Sequence, residues 1–156
     1  MLNSTLCYLE RGDTYLMLHR IKKREDLNRG KWIGVGGKCE EGESPEDCVL
    51  RETREETGLT LTDCRYRGLV TFVSDQAPTE YMHLFTAAEW TGSLIPCGEG
   101  ELAWIRKAEL PSLPMWEGDR IFLRLLEEGG PFFSLKLRYQ GEELTGAWLN
   151  GRPLTM

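Results

Sequence analysis

The chain has no apolar run near the ~20 residues that a membrane-spanning helix needs, and no excess of basic residues. Its 19 Lys and Arg are outnumbered by 25 Asp and Glu, for a formal charge of −6. Coating a nucleic-acid polymer takes a basic surface, so the balance argues against that class. Cysteine is sparse and unpatterned: five residues, at 7, 39, 48, 64 and 97, with no CxxC pair. An odd, scattered set reads as reduced thiols of a cytoplasmic protein, packed as small buried or half-buried residues. Histidine is rarer still, and His19 and His83 each lie in an apolar, strand-like stretch. A hydrogen-bonded structural role is expected for both. Glu10, Arg11 and Asp13 follow the first apolar stretch closely, which is unlike a signal peptide. No calcium loop of the D-x-[DN]-x-[DN]-G kind is present. With no repeat, low-complexity tract or linker, residues 1–156 are expected to form a single domain.

Charge is present in quantity, and it is segregated. Arg20, Lys22, Lys23, Arg24, Arg29, Lys31 and Lys38 outnumber Glu25 and Asp26. The next stretch reverses the sign, with Glu40, Glu41, Glu43, Glu46, Asp47, Glu52, Glu55 and Glu56 against Arg51 and Arg54. Basic groups beside a carboxylate cluster suit a small polyanion that arrives with a metal; a patchy solvated surface gives the same pattern. Helical geometry sharpens the first reading. Positions i, i+3 and i+4 share a helix face, so Glu52, Glu55 and Glu56 would point one way. Like charges at that spacing cost a solvated helix roughly 0.2–0.5 kcal/mol per pair. A hard divalent cation is the natural neutraliser.

The helix that carries them is well punctuated. Ser44 is an N-cap, Pro45 takes the first helical position, Asp47 lies three residues past the cap, and Gly58 marks the stop. Cys48, Val49, Thr53 and Leu59 are expected to face the core, and the glutamates to face out. Strands are predicted over 4–9 and 14–20 around the Gly12-Asp13 turn, over 32–35 ending at Gly36-Gly37, and over 65–74, 81–90 and 102–105. A helical turn is expected over 107–110 and a helix over 117–128, with Ile121, Phe122, Leu125 and Leu126 inward. A hairpin over 132–139 and 143–149 turns at Gln140-Gly141. Strands interspersed with two helices predict an α+β or α/β sandwich rather than a regular βαβ repeat.

Gly37, Glu43 and Arg51-Glu52-Thr53-Arg54-Glu55-Glu56-Thr57-Gly58-Leu59 resemble the Nudix box, G-x5-E-x7-R-E-U-x-E-E-x-G-U with U aliphatic. Thr53 stands at an aliphatic position; being close to Val in size, it is expected to have only a small packing effect. The resemblance implies an α/β/α sandwich with a mixed β-sheet. It also implies hydrolysis of a nucleoside diphosphate linked to another group, with Mg2+ or Mn2+. It places Glu52, Glu55 and Glu56 at the metal, with Glu52 or Glu56 as the base. The Gly37 carbonyl is implied as a further ligand, Lys38 as flanking the phosphate site, Lys23 as a substrate-binding residue, and Arg51 as orienting the carboxylates. Glu43 is expected to organise the loop. Family members often add a distant carboxylate before a Trp-containing strand; Glu99 is the first candidate for it and Glu101 the second.

The likeness runs past the box. Lys22-Lys23-Arg24, Gly30-Lys31-Trp32, Gly34-Val35-Gly36-Gly37-Lys38, Pro114-Met115-Trp116, Asp119 and the stretch from Phe132 to Gln140 resemble the oxidised purine nucleoside triphosphatases, the 8-oxo-dGTP diphosphatases of MutT-like type. In that group a Trp stacks on the purine and nearby acids read the base edge, which implies binding roles for Trp116 and Asp119. Ile33 and Gly118 depart from the vertebrate pattern, which has Asn and Asp there. The implied partner is a nucleotide, not a nucleic-acid polymer or a membrane, bound by a monomer or homodimer. Two other readings stand beside it: a pyrophosphatase for ADP-ribose or nucleotide-sugars, and a non-catalytic nucleotide-binding module.

Overall fold

The computed structural model describes residues 1–155. β1 (Leu2–Arg11) and β2 (Thr14–His19) turn at Gly12, and β3 (Trp32–Ile33) pairs with the end of β2. After α1 (Pro45–Thr57) come the long strands β4 (Thr60–Ser74) and β5 (Glu80–Thr91), then β6 (Glu101–Arg106). A 3-10 turn (Lys107–Ser112) leads to α2 (Glu117–Glu128), and β7 (Phe133–Gln140), β8 (Glu143–Leu149) and β9 (Arg152–Pro153) close the chain. The strand order is β3-β2-β1-β5-β4-β7-β8-β9, with β6 also paired to β2. β1–β5 and β4–β7 are parallel and the other pairs antiparallel, so the sheet is mixed.

Alternation along the strands builds two cores, one on each face. Leu6 and Tyr8 of β1 and Tyr15 and Met17 of β2 join Phe122, Leu123 and Leu126 of α2. Cys7, Leu9, Leu16 and Leu18 point the other way, to Val49 of α1 and to Leu59, Leu61 and Phe85. The sandwich expected from the sequence is therefore the observed one: a mixed sheet with a helix packed on either side. Among the described residues no helix is long and apolar enough to cross a membrane.

The helix punctuation is as read. Ser44 Oγ accepts from the Asp47 N–H at 3.0 Å, Asp47 accepts in return from the Ser44 N–H at 3.1 Å, and Gly58 is left-handed with φ 80°. A cap of this kind contributes about 1 kcal/mol.

Four expectations need correction. β4 starts at Thr60, ahead of the expected 65, because register slips around Asp63 break the alternation that marks a strand in sequence. The 32–35 strand is regular only over Trp32–Ile33; beyond it Val35 and Lys38 make single bridges to Cys7 and Ser4 of β1. The glutamates do not all face out, since Glu56 is 7% exposed. Finally, Thr53 is more than a packing substitute for Val. It is fully buried, and its hydroxyl has no partner among the described residues. Burying such a group costs about 1–3 kcal/mol.

Candidate active site

Two glycines set the floor. Residues 34–38 run beside β1, with the Thr5 N–H donating to the Gly37 carbonyl at 2.8 Å. This approach is so close that a Cβ on Gly36 would lie 1.9 Å from the Thr5 carbonyl oxygen. A Cβ on Gly37 would lie 2.4 Å from Glu52 Oε2, so only glycine lets the loop rest on that carboxylate.

Arg51 is the hub of the charged face. Its guanidinium forks onto Glu43 at 2.7 and 2.8 Å and donates to Glu52 at 2.8 Å, to Glu55 at 3.2 Å and to the Lys38 carbonyl at 3.1 Å. The planar fork is what makes this possible; an ammonium would serve fewer partners. The Glu43 carboxyl is held down at about 2, first by the Arg51 hydrogen bonds and then by the Glu40 N–H. Glu43 thus ties the loop to the helix, as the sequence suggests.

Glu56 turns away from Arg51. Its Oε1 accepts from the Gly36 N–H at 2.7 Å, while its buried Oε2 has no hydrogen-bond partner among the described residues. Burial pushes its pKa up to about 8, and the charges of Glu99 and Glu52 add to the rise against the lowering by Gly36 and Arg20.

The expected distant acid, Glu99, has both oxygens engaged, by Arg20 at 2.6 Å and by Lys23 at 3.0 Å. Arg20 also binds Asp26 at 2.6 Å, which anchors the irregular stretch Arg20–Lys31. Glu101, the second candidate, is exposed opposite His19 on β6 and does not line the cavity.

Glu52, Glu99 and the Gly36-Gly37 floor open into a cavity of about 480 Å³, whose lining does not include Arg51, Glu55 or Glu56. One half is polar and charged, with Arg20, Lys23, Lys38, Glu52 and Glu99 around Gly36-Gly37. The other half is walled by Leu6, Ile33, Phe72, Met82 and Trp116, with Asp119 among them. Trp116 is 4% exposed, set edge-on to Phe72 and Tyr139, with its indole N–H donating to Asn28 Oδ1 at 2.7 Å. The Lys31 ammonium lies 4.5 Å over its ring. Trp116 is therefore a packed wall of the cavity with one ring face already under a cation, at the position where the resemblance implies a stacked purine. Asp119 is 5% exposed, and burial pushes its carboxyl up to about 8.

Ser4, Asn28 and Glu80 line the same cavity and have no signature in the sequence. Glu80 leaves one trace, an acid heading the otherwise apolar-rich β5. His19 stacks on Trp32 at 4.4 Å, and His83 bonds Tyr66 and Asn3, so both histidines are structural.

The profile of the NUDIX domain matches residues 2–126. The chain is a member of the Nudix family. Its relatives include the uncharacterised Nudix hydrolase YvcI of Bacillus subtilis, 35% identical over 130 residues, covering 80% of this chain and 78% of that one. The oxidized purine nucleoside triphosphate hydrolase of Mus musculus is 32% identical over 106 residues, 67% of each chain. The crystal structure of a MutT protein from Bacillus halodurans superimposes with a TM-score of 0.86 at 30% identity, over 98% of this chain and 100% of that one.

Nudix hydrolases generally use divalent cations such as Mg2+, and the donor set of this member fits one. All the donors are oxygens, as a hard cation prefers, and Glu56 Oε2 is a buried acceptor with nothing donating to it among the described residues. Glu52, Glu55, Glu56 and the Gly37 carbonyl would hold the ion. Among the described residues no three acidic, His or Cys side chains form a ready-made cage. Mg2+ asks for none, since it keeps several waters and relies on one or two carboxylates plus substrate phosphates.

Proposed function

We propose that this Nudix hydrolase is a nucleoside triphosphate diphosphatase that cleaves purine deoxynucleotides, oxidised ones such as 8-oxo-dGTP among them, to the monophosphate and pyrophosphate. The observation that carries the reading is the continuity of one cavity from Lys23, Lys38 and Glu52 at its charged half to Phe72, Trp116 and Asp119 at its apolar half. A nucleotide has the same two-part chemistry. The relative from Mus musculus bears the name of such an enzyme, which supports the substrate class.

In this reading Lys23 and Lys38 bind phosphate oxygens, and Arg51 keeps Glu52 and Glu55 in place. Glu56 takes a proton from the attacking water. Its Oε1 is held by the Gly36 N–H while its Oε2 has no donor among the described residues, which leaves that oxygen open to a proton. When bound, a divalent cation supplies positive charge against the phosphate oxygens and makes water easier to deprotonate. Glu99, salt-bridged to Lys23, holds that lysine at the mouth of the charged half.

The test is turnover by the purified protein with Mg2+ on 8-oxo-dGTP and dGTP, with products identified. Faster hydrolysis of 8-oxo-dGTP with pyrophosphate release is expected. Equal rates would reject the preference for the oxidised base. A phosphorylated sugar released from ADP-ribose or a nucleotide-sugar, with triphosphates untouched, would move the enzyme to the other Nudix chemistry.

A further inference from the structure

Glu80 opens β5, opposite Leu2 of β1 and Phe72 of β4. Side chains two apart share a sheet face, so Glu80 lies on the face of Met82, and both line the cavity with Phe72, Trp116 and Asp119. Ser4 Oγ donates to Glu80 Oε2 at 2.6 Å, and Ser4 is itself 5% exposed. That bond fixes the carboxylate and leaves Oε1 free to accept. Asp119 is 95% buried by the same measure, and its carboxyl meets Arg120 and Lys31 through space, without a side-chain hydrogen bond among the described residues. Asn28 spends its Oδ1 on the Trp116 indole, which leaves its amide N–H groups as donors. The cavity thus holds two carboxyl acceptors and one amide donor beside Phe72, Met82 and Trp116, with Glu80 at the border where Ser4 bridges Lys38.

Such an arrangement discriminates between bases. A guanine-type edge presents adjacent imino and amino N–H donors beside a carbonyl. An adenine edge sets a ring-nitrogen lone pair next to its amino group, and that lone pair would face a carboxylate oxygen. Sites of this kind select by the mismatch as much as by the match. We propose that Glu80 is a specificity-determining residue: its Ser4-fixed carboxylate, with Asp119 in the same cavity, accepts N–H donors from the base and selects guanine-type purines over adenine. It thereby supplies a base contact at a site where Ile33 has no polar side chain to give. The proposal rests on the nucleoside triphosphatase reading above.

The experiment uses the whole chain, wild type and Glu80→Gln. It compares kcat/KM with Mg2+ on 8-oxo-dGTP, dGTP and dATP, and the calorimetric affinity for dGMP and dAMP without metal. In Glu80→Gln the guanine-to-adenine ratio is expected to fall about 10- to 100-fold, through a raised KM for the guanine nucleotides. Ser4→Ala, which keeps the charge but frees the carboxylate, is expected to lower the ratio less. An unchanged ratio in Glu80→Gln, or a wild type with no preference for guanine, overturns the proposal. If Glu80→Gln does not fold, Glu80→Asp and Ser4→Ala carry the test, and unchanged ratios in both overturn it equally. Wild type that cleaves no triphosphate, yet binds dGMP over dAMP in a Glu80-dependent way, keeps this inference and removes the triphosphatase. Cleavage with a preference indifferent to Glu80 does the reverse.

Discussion

Glu56, bonded behind the cavity wall to the Gly36 N–H, and Asp119, in the wall itself, are two buried carboxyls, and burial raises both to about 8. Their company differs. Glu56 has Glu99 and Glu52 as charged neighbours, which push it further up, and one N–H from Gly36. Asp119 has Arg120 and Lys31, which pull it down, and apolar walls. Acids crowded together gain from an added positive charge. An acid in an apolar slot gains from a neutral N–H donor instead. On the proposed function, the same burial would suit the first carboxyl to a cation with phosphates and the second to a base.

The largest expected effect comes from removing the first carboxyl. In Glu56→Gln the amide oxygen still accepts from Gly36 while proton uptake is lost. Turnover should fall about 10²- to 10⁴-fold, read as pyrophosphate release, with the circular dichroism spectrum intact. Unchanged turnover would remove Glu56 from the role of base.

The second prediction turns on pH. A carboxyl with a raised folded pKa favours the folded state most fully below its unfolded value, and loses that contribution as pH climbs through the folded one. Without metal the wild type should therefore lose stability as pH rises from about 4 to about 8. Asp119→Asn should flatten part of this slope and Glu56→Gln another part, as urea titrations at pH 5 and 8 would measure. A slope identical in wild type and both variants would show that neither group is raised.

The smallest effect lies beneath the charged face. Thr53→Val removes a buried hydroxyl with no partner among the described residues. It should stabilise the protein by about 1 kcal/mol, a rise of roughly 2–4 °C in Tm for a chain of this size. A lower Tm would mean that the hydroxyl is satisfied.

The two halves also differ in how far they can be read from sequence. The charged half is mostly local. Gly37, Glu43, Arg51, Glu52, Glu55 and Glu56 lie within one loop and one helix, so helical spacing and cap residues bring them together on paper. The reading slipped at Glu56, because which side of α1 lies under the Gly36 N–H depends on how the helix packs against the sheet. The apolar half joins Ser4, Asn28, Phe72, Glu80 and Trp116 from five separate parts of the chain. Ser4 and Glu80 are 76 positions apart and meet only through the parallel register of β1 with β5. No local period encodes that register. The β4 start and the two-residue β9 escaped for a related reason: register slips and very short ladders leave no alternation to detect.

The stretch Arg20–Lys31 touches both ends of the cavity. It offers Lys23 at one and Asn28 at the other, and Arg20 pins it to Glu99 and Asp26. The distance between the two points is thus set within one covalent segment, like the jaws of a caliper. A free phosphate or a bare nucleobase engages one jaw alone, and only a compound long enough to reach both is gauged by the whole segment.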